Sequence, residues 1–200
     1  MKNKTITISS LSDIYKFYNR LFIYKIFLKN YKFNINININ IDNNLKEELE
    51  SVINILNIKE KYKRYNYIYD YLYDLLDNYY KDKNICEFDC DKTCIAKRLN
   101  KTKVKKNGCC GNCKYITDNG CSIKCLTCKM FFCKIVKDNN ILLDLNKNKI
   151  YKYFLSFRRK NILQMCFYKE KDEILKYLCN GSLLYFFIKE DLNTFFYKNK

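Results

Sequence analysis

The 200-residue chain has no histidine, no proline and no tryptophan, one alanine (Ala96) and four glycines. The missing histidine excludes most. Without it there is no Ser-His-Asp triad, no Cys-His nucleophile, no HExxH zinc motif and no finger completed by paired histidines. Long apolar runs are missing too: the longest clean one, Leu183 to Ile188, is far shorter than the roughly 18 residues of a membrane span. The basic start Met1-Lys2-Asn3-Lys4 is followed by Asp13 and Lys16, where a secretory leader needs an apolar stretch. No leader and no membrane span are therefore expected. The expected setting is cytoplasmic, where thiols stay reduced and clustered cysteines serve metal or redox work.

What is abundant is equally one-sided. There are 12 Cys, 19 Tyr and 14 Phe, and 38 Lys plus Arg stand against 21 acids, for a net charge of +17. Only five of the cations are arginines (Arg20, Arg64, Arg98, Arg158 and Arg159). Lys, Asn, Ile, Tyr and Phe have codons rich in A and T, so an AT-rich genome explains part of this charge without a functional cause. With 48% apolar and 16% aromatic residues the chain has ample material for a core, and a folded body is expected.

Ten of the twelve cysteines lie within residues 86–133, together with Gly108, Gly111 and Gly120. Only Cys166 and Cys179 stand outside, both in apolar company. The chain thus divides into an N-terminal helical part (1–83), a Cys-rich metal-binding module (84–137) and a C-terminal helical part (138–200). The outer parts are expected to pack together, with the module inserted between them as a loop-rich knob. The fold class is mainly α.

The first part carries helical signals. Ser10-x-x-Asp13 is a capping-box pattern that opens onto Ile14, Tyr15, Phe17, Tyr18, Leu21 and Phe22. Asn34 to Ile41 alternates Asn and Ile, which fits a strand or a low-complexity linker. Asn44-x-x-Glu47 caps an amphipathic helix with Leu45, Leu49, Val52, Ile53 and Leu56 on one face. Tyr62, Tyr65, Tyr69, Leu72, Leu76 and Tyr79 then recur at steps of three and four, a stripe read as core rather than as a base-stacking surface. Lys59 to Arg64 precede Asp70, Asp74 and Asp77 here, the reverse of what a helix dipole favours. In the last part, Ile150, Phe154 and Phe157 share a helical face. Asp172 to Cys179 reads as a helix stopped by Asn180-Gly181, and Leu183 to Phe196 as a helix or a strand pair.

The chemistry sits in the middle segment. Cys110 with Cys113 and Cys125 with Cys128 form two C-x2-C pairs. Such a knuckle sets two sulfurs on one side of a tight turn whose amides point at them, and two knuckles complete a tetrahedron at about 2.3 Å from zinc. Glycines in the stretch give such turns their backbone freedom. We take Cys110, Cys113, Cys125 and Cys128 as one candidate zinc site and Cys86, Cys94, Cys121 and Cys133 as a second. Cys90 and Cys109 are spare or alternative ligands. A set such as Cys109 or Cys110 with Cys113, Cys121 and Cys128 is the competing arrangement. Thiolate-only ligation also suits iron–sulfur, so a 4Fe-4S cluster in electron transfer or redox sensing is the alternative to two zinc ions.

Cys121-Ser-Ile-Lys-Cys125-Leu-Thr-Cys128 resembles the cluster-binding motif of radical-SAM enzymes, over eight residues only. Thr127 stands where those enzymes usually carry an aromatic. The 72 residues that follow Cys128 show no repeating strand–helix pattern of the kind a barrel needs.

From Cys86 to Lys137 twelve Lys and Arg face four acids. Lys97, Arg98, Lys101, Lys103, Lys105 and Lys106 are concentrated in ten residues and are candidate phosphate contacts. Lys outnumbers Arg and no base-reading signature is present, so binding would be sequence-independent. The expected function is non-catalytic: a zinc-type protein presenting a basic surface to a partner, nucleic acid or protein. A zinc enzyme is disfavoured because catalytic zinc keeps an open position beside a general base.

Overall fold

In a computed structural model, residues 2–30, 33–40, 43–83, 115–117, 120–121, 125–130 and 143–198 are described. The capping pattern at Ser10 does what its residues allow. Helix α1 (Leu11–Asn19) starts there, with the Ser10 hydroxyl accepting the Asp13 amide at 3.2 Å. The Asp13 carboxylate reaches back to the Ser10 hydroxyl at 2.8 Å and the Ser9 amide at 3.3 Å. The chain bends at Arg20 and continues as α2 (Leu21–Asn30). Phe17 and Leu21 are buried, whereas Tyr15 and Phe22 are exposed.

The residues before Ser10 are not helical. Lys2–Ile8 form β1, which pairs in parallel with β2 (Phe33–Ile39), Lys2 opposite Phe33 and Ile8 opposite Ile39. The Asn/Ile alternation is thus a strand and not a linker. Thr5-Ile6-Thr7-Ile8 alternates in the same way, and its last residue is fully buried.

Helix α3 (Asn43–Asn57) buries Leu49, Val52, Ile53 and Leu56, while Leu45 near its start remains exposed. Helix α4 (Lys61–Lys83) is one uninterrupted element despite its adverse charge order. Tertiary partners offset that order. Asp70 receives Lys171 at 2.6 Å, and Asp77 is paired with Lys129. At the other end the Arg64 guanidinium folds back onto the Ile58 carbonyl at 2.7 and 2.9 Å. Tyr65, Tyr69, Leu72 and Leu76 are buried, so most of the tyrosine stripe is core; Tyr62 is exposed and bonds Asp172 instead.

Two short strands, β3 (Ile116–Thr117) and β4 (Gly120–Cys121), pair antiparallel. Helix α5 (Leu126–Met130) follows. The C-terminal helices are α6 (Lys149–Phe154), α7 (Phe157–Met165), α8 (Lys171–Asn180) and α9 (Leu183–Lys198). Ile150, Phe154 and Phe157 do not share one helix: the chain is extended at Leu155, which is buried, and Phe157 points outward. Helix α8 ends where Asn180-Gly181 indicates, with Gly181 left-handed at φ 70°. Leu183 onward is helix, not a strand pair.

The nine helices seen among the described residues make the protein mainly α. Helix α3 packs on α6, and α4 packs on α5 and α8. Buried side chains from α1 through α9 form one apolar cluster. Cys125 and Leu126 belong to it. This part of the Cys-rich segment is therefore built into the helical body and is not a separate knob.

Candidate metal centre

Cys125 stands one residue before α5, and its carbonyl accepts the Lys129 amide at 3.2 Å, closing the first helical turn. Over such a turn residues three apart share a face. The C-x2-C spacing thereby sets Cys125 and Cys128 on one side of the turn.

The surroundings of the turn come from elsewhere in the fold. The Leu126 amide donates to the Tyr69 hydroxyl of α4 at 2.8 Å. The Thr127 hydroxyl, on a fully buried side chain, donates to the Leu163 carbonyl of α7. Lys129 reaches Asp77 of α4 and lies 5.5 Å from the centre of the Tyr73 ring. The Cys125 thiol donates to the Cys166 carbonyl at 3.3 Å. Tyr168, the residue before Lys169, has φ 59°, a left-handed conformation that is rare for a bulky side chain. Lys169 is fastened in turn by Glu173 at 2.7 Å and Glu190 at 3.0 Å.

The surroundings of Cys125 acidify its thiol. The Cys128 thiol, then the amides of Cys128, Lys169 and Thr127, stabilise a Cys125 thiolate against the opposing cost of burial. They bring its pKa from the ordinary 9.0 down to about 6. Cys166 has the opposite environment. It is fully buried, and burial raises its thiol from 9.0 to about 12. It behaves as a small apolar core residue that offers the pair its carbonyl. Cys179 is half-buried, and burial likewise raises its thiol.

Of the expected ligands, the structure brings Cys125 and Cys128 together. Cys121 lies on β4 opposite Ile116, and its side chain is outside what is described. Cys86, Cys90, Cys94, Cys109, Cys110, Cys113 and Cys133 lie outside the described residues. So do Lys97, Arg98, Lys101, Lys103, Lys105 and Lys106. Among the described residues no three cysteines or carboxylates gather into a metal-holding group. Among the described residues the expected ligands present as a placed pair are Cys125 and Cys128.

Sequence reasoning missed three contributors: Tyr69, the Cys166 carbonyl and the Lys169 amide. Tyr69 was legible only as part of a core stripe, and backbone groups carry no residue signature. A separate open cleft of about 470 Å³ lies between β2 and α3, lined by Asn38, Ile39, Asn40, Lys46, Glu50, Ile53 and Asn54. It holds no thiol and is distinct from the cysteine pair. No helix among the described residues is long and apolar enough to cross a membrane.

Compared with known proteins, the chain matches no family model, no curated protein sequence and no solved structure.

Proposed function

We propose that this chain is a non-catalytic metal-binding protein in which Cys125 and Cys128 supply two of the four thiolates of a zinc-type site. The remaining ligands come from the cysteines concentrated in 86–133. The observation that carries the reading is the C-x2-C pair Cys125 and Cys128 set on one helical turn that is buried and anchored to Tyr69 of α4 and the Leu163 carbonyl of α7. Metal ligation needs the thiolate, and a site that already favours it releases fewer protons on binding. The excess of twelve cations over four acids in the same segment supports a basic surface around that site, directed at an acidic partner such as nucleic acid.

Metal analysis and the visible spectrum of anaerobically purified protein test the proposal. Stoichiometric zinc in a colourless protein is the expected result, with zinc lost in Cys125→Ser and Cys128→Ser. Stoichiometric iron with broad visible absorption would replace it by the 4Fe-4S reading. Metal-free protein that takes up neither zinc nor cobalt would end both.

A further inference from the structure

We propose that Tyr69 is a positioning residue for the Cys125–Cys128 pair, so that the helical body, and not the Cys-rich segment alone, sets how tightly the pair holds metal. The inference rests on the zinc-type reading above and extends it to α4, far away in sequence.

Three observations carry it. The Tyr69 hydroxyl accepts the Leu126 amide at 2.8 Å, and Leu126 is the residue that follows the first ligand. Both partners are almost fully buried, Tyr69 at 1% exposure and Leu126 at 0%, so no water replaces the bond if it is lost. The pair is also fastened from the opposite side. Thr127 bonds the Leu163 carbonyl, and the Cys125 thiol donates to the Cys166 carbonyl at 3.3 Å. The turn is thereby clamped by α4 through Tyr69 and by α7 and the Cys166 carbonyl that follows it. A ligand turn clamped in this way keeps its sulfurs at fixed separation before metal arrives. Loss of one outer clamp typically weakens metal binding 10- to 100-fold.

Tyr69→Phe removes only the hydroxyl and keeps the buried ring. Tyr65→Phe is the matched control. It lies one turn earlier on the same buried face, with its ring beside the Arg159 guanidinium, 4.9 Å from the ring centre, and not at the cysteine turn. Metal-free full-length protein is titrated with cobalt, reading the sulfur-to-cobalt charge-transfer band, and then with zinc in competition against a chelator. Tyr69→Phe should weaken binding about 10- to 100-fold and alter the band, with far-ultraviolet dichroism unchanged. Tyr65→Phe should bind as the unsubstituted chain does. Equal affinity in Tyr69→Phe and the unsubstituted chain overturns the inference while leaving the zinc-type reading intact. Equal losses in both variants also overturn it. No thiolate band in the unsubstituted chain overturns the zinc-type reading itself. Should Tyr69→Phe fail to fold, hydrogen exchange at the Leu126 amide of the unsubstituted chain decides. Protection with and without zinc is expected, and exchange at the rate of an exposed amide overturns the clamp.

Discussion

The acidified Cys125 thiol makes the stability of the metal-free protein depend on pH in a calculable way. Its pKa is about 6 when folded, against an ordinary 9.0. Between these values the unfolded chain holds one proton more, so stability rises with pH by about 1.4 kcal/mol per unit. The contribution is fully present above about 9 and is lost as pH falls through about 6. From pH 6 to pH 8 the expected gain is about 2 kcal/mol, after allowing for the half-titrated thiol at the lower end. Other shifted groups act outside this window. Lys25 is pushed down from 10.5 to about 8, first by burial and then by Arg64, so it too adds stability as pH rises, but only above about 8. Cys166, raised to about 12, keeps its proton when folded and lowers stability above 9. The assay is urea denaturation of chelator-treated, reduced protein at pH 6, 7 and 8, followed by dichroism. With a urea m-value of about 2 kcal/mol per molar, the midpoint should rise by about 1 M across the series. Cys125→Ser should flatten this rise whatever its own stability. A flat profile in the unsubstituted chain, or the same slope in Cys125→Ser, refutes the reasoning.

Three further outcomes are expected. Gly181→Ala should cost about 2 kcal/mol in equilibrium denaturation, because φ is 70° and the new Cβ would lie 2.5 Å from Arg159 Nη2. The displaced guanidinium would lose the Leu178 carbonyl that Arg159 Nε now holds at 2.8 Å, and a loss below about 0.5 kcal/mol would contradict this. Cys166→Ala should retain full zinc content and lose about 1 kcal/mol from a small cavity; loss of zinc would make Cys166 a ligand and undo its assignment to the core. Replacing Lys103, Lys105 and Lys106 by Ala should reduce the salt slope of nucleic-acid binding by at most about three units without changing sequence preference. Fluorescence anisotropy at several salt concentrations measures it, and absence of binding near physiological salt would attribute these lysines to codon bias.

Sequence by itself determined the elements whose signals are local. The Ser10–Asp13 cap, the amphipathic face of α3, the tyrosine stripe of α4 and the Gly181 stop each depend on residues within one or two helical turns. The C-x2-C turn at Cys125 is local in the same sense, because a single helical turn brings i and i+3 together. Everything that needed distant partners was decided by the tertiary structure. The parallel pairing of Lys2–Ile8 with Phe33–Ile39 joins strands separated by two helices, and neither strand states its partner. The charge order of α4 is unfavourable when read along the helix and becomes acceptable only once Lys129 and Lys171 arrive from other elements. The acidity of Cys125 depends partly on the Lys169 amide, and its turn is anchored by Tyr69. A cysteine pattern specifies where sulfurs can meet; whether such a turn is buried and anchored is decided by contacts with distant parts of the chain, here Tyr69, Leu163 and Cys166.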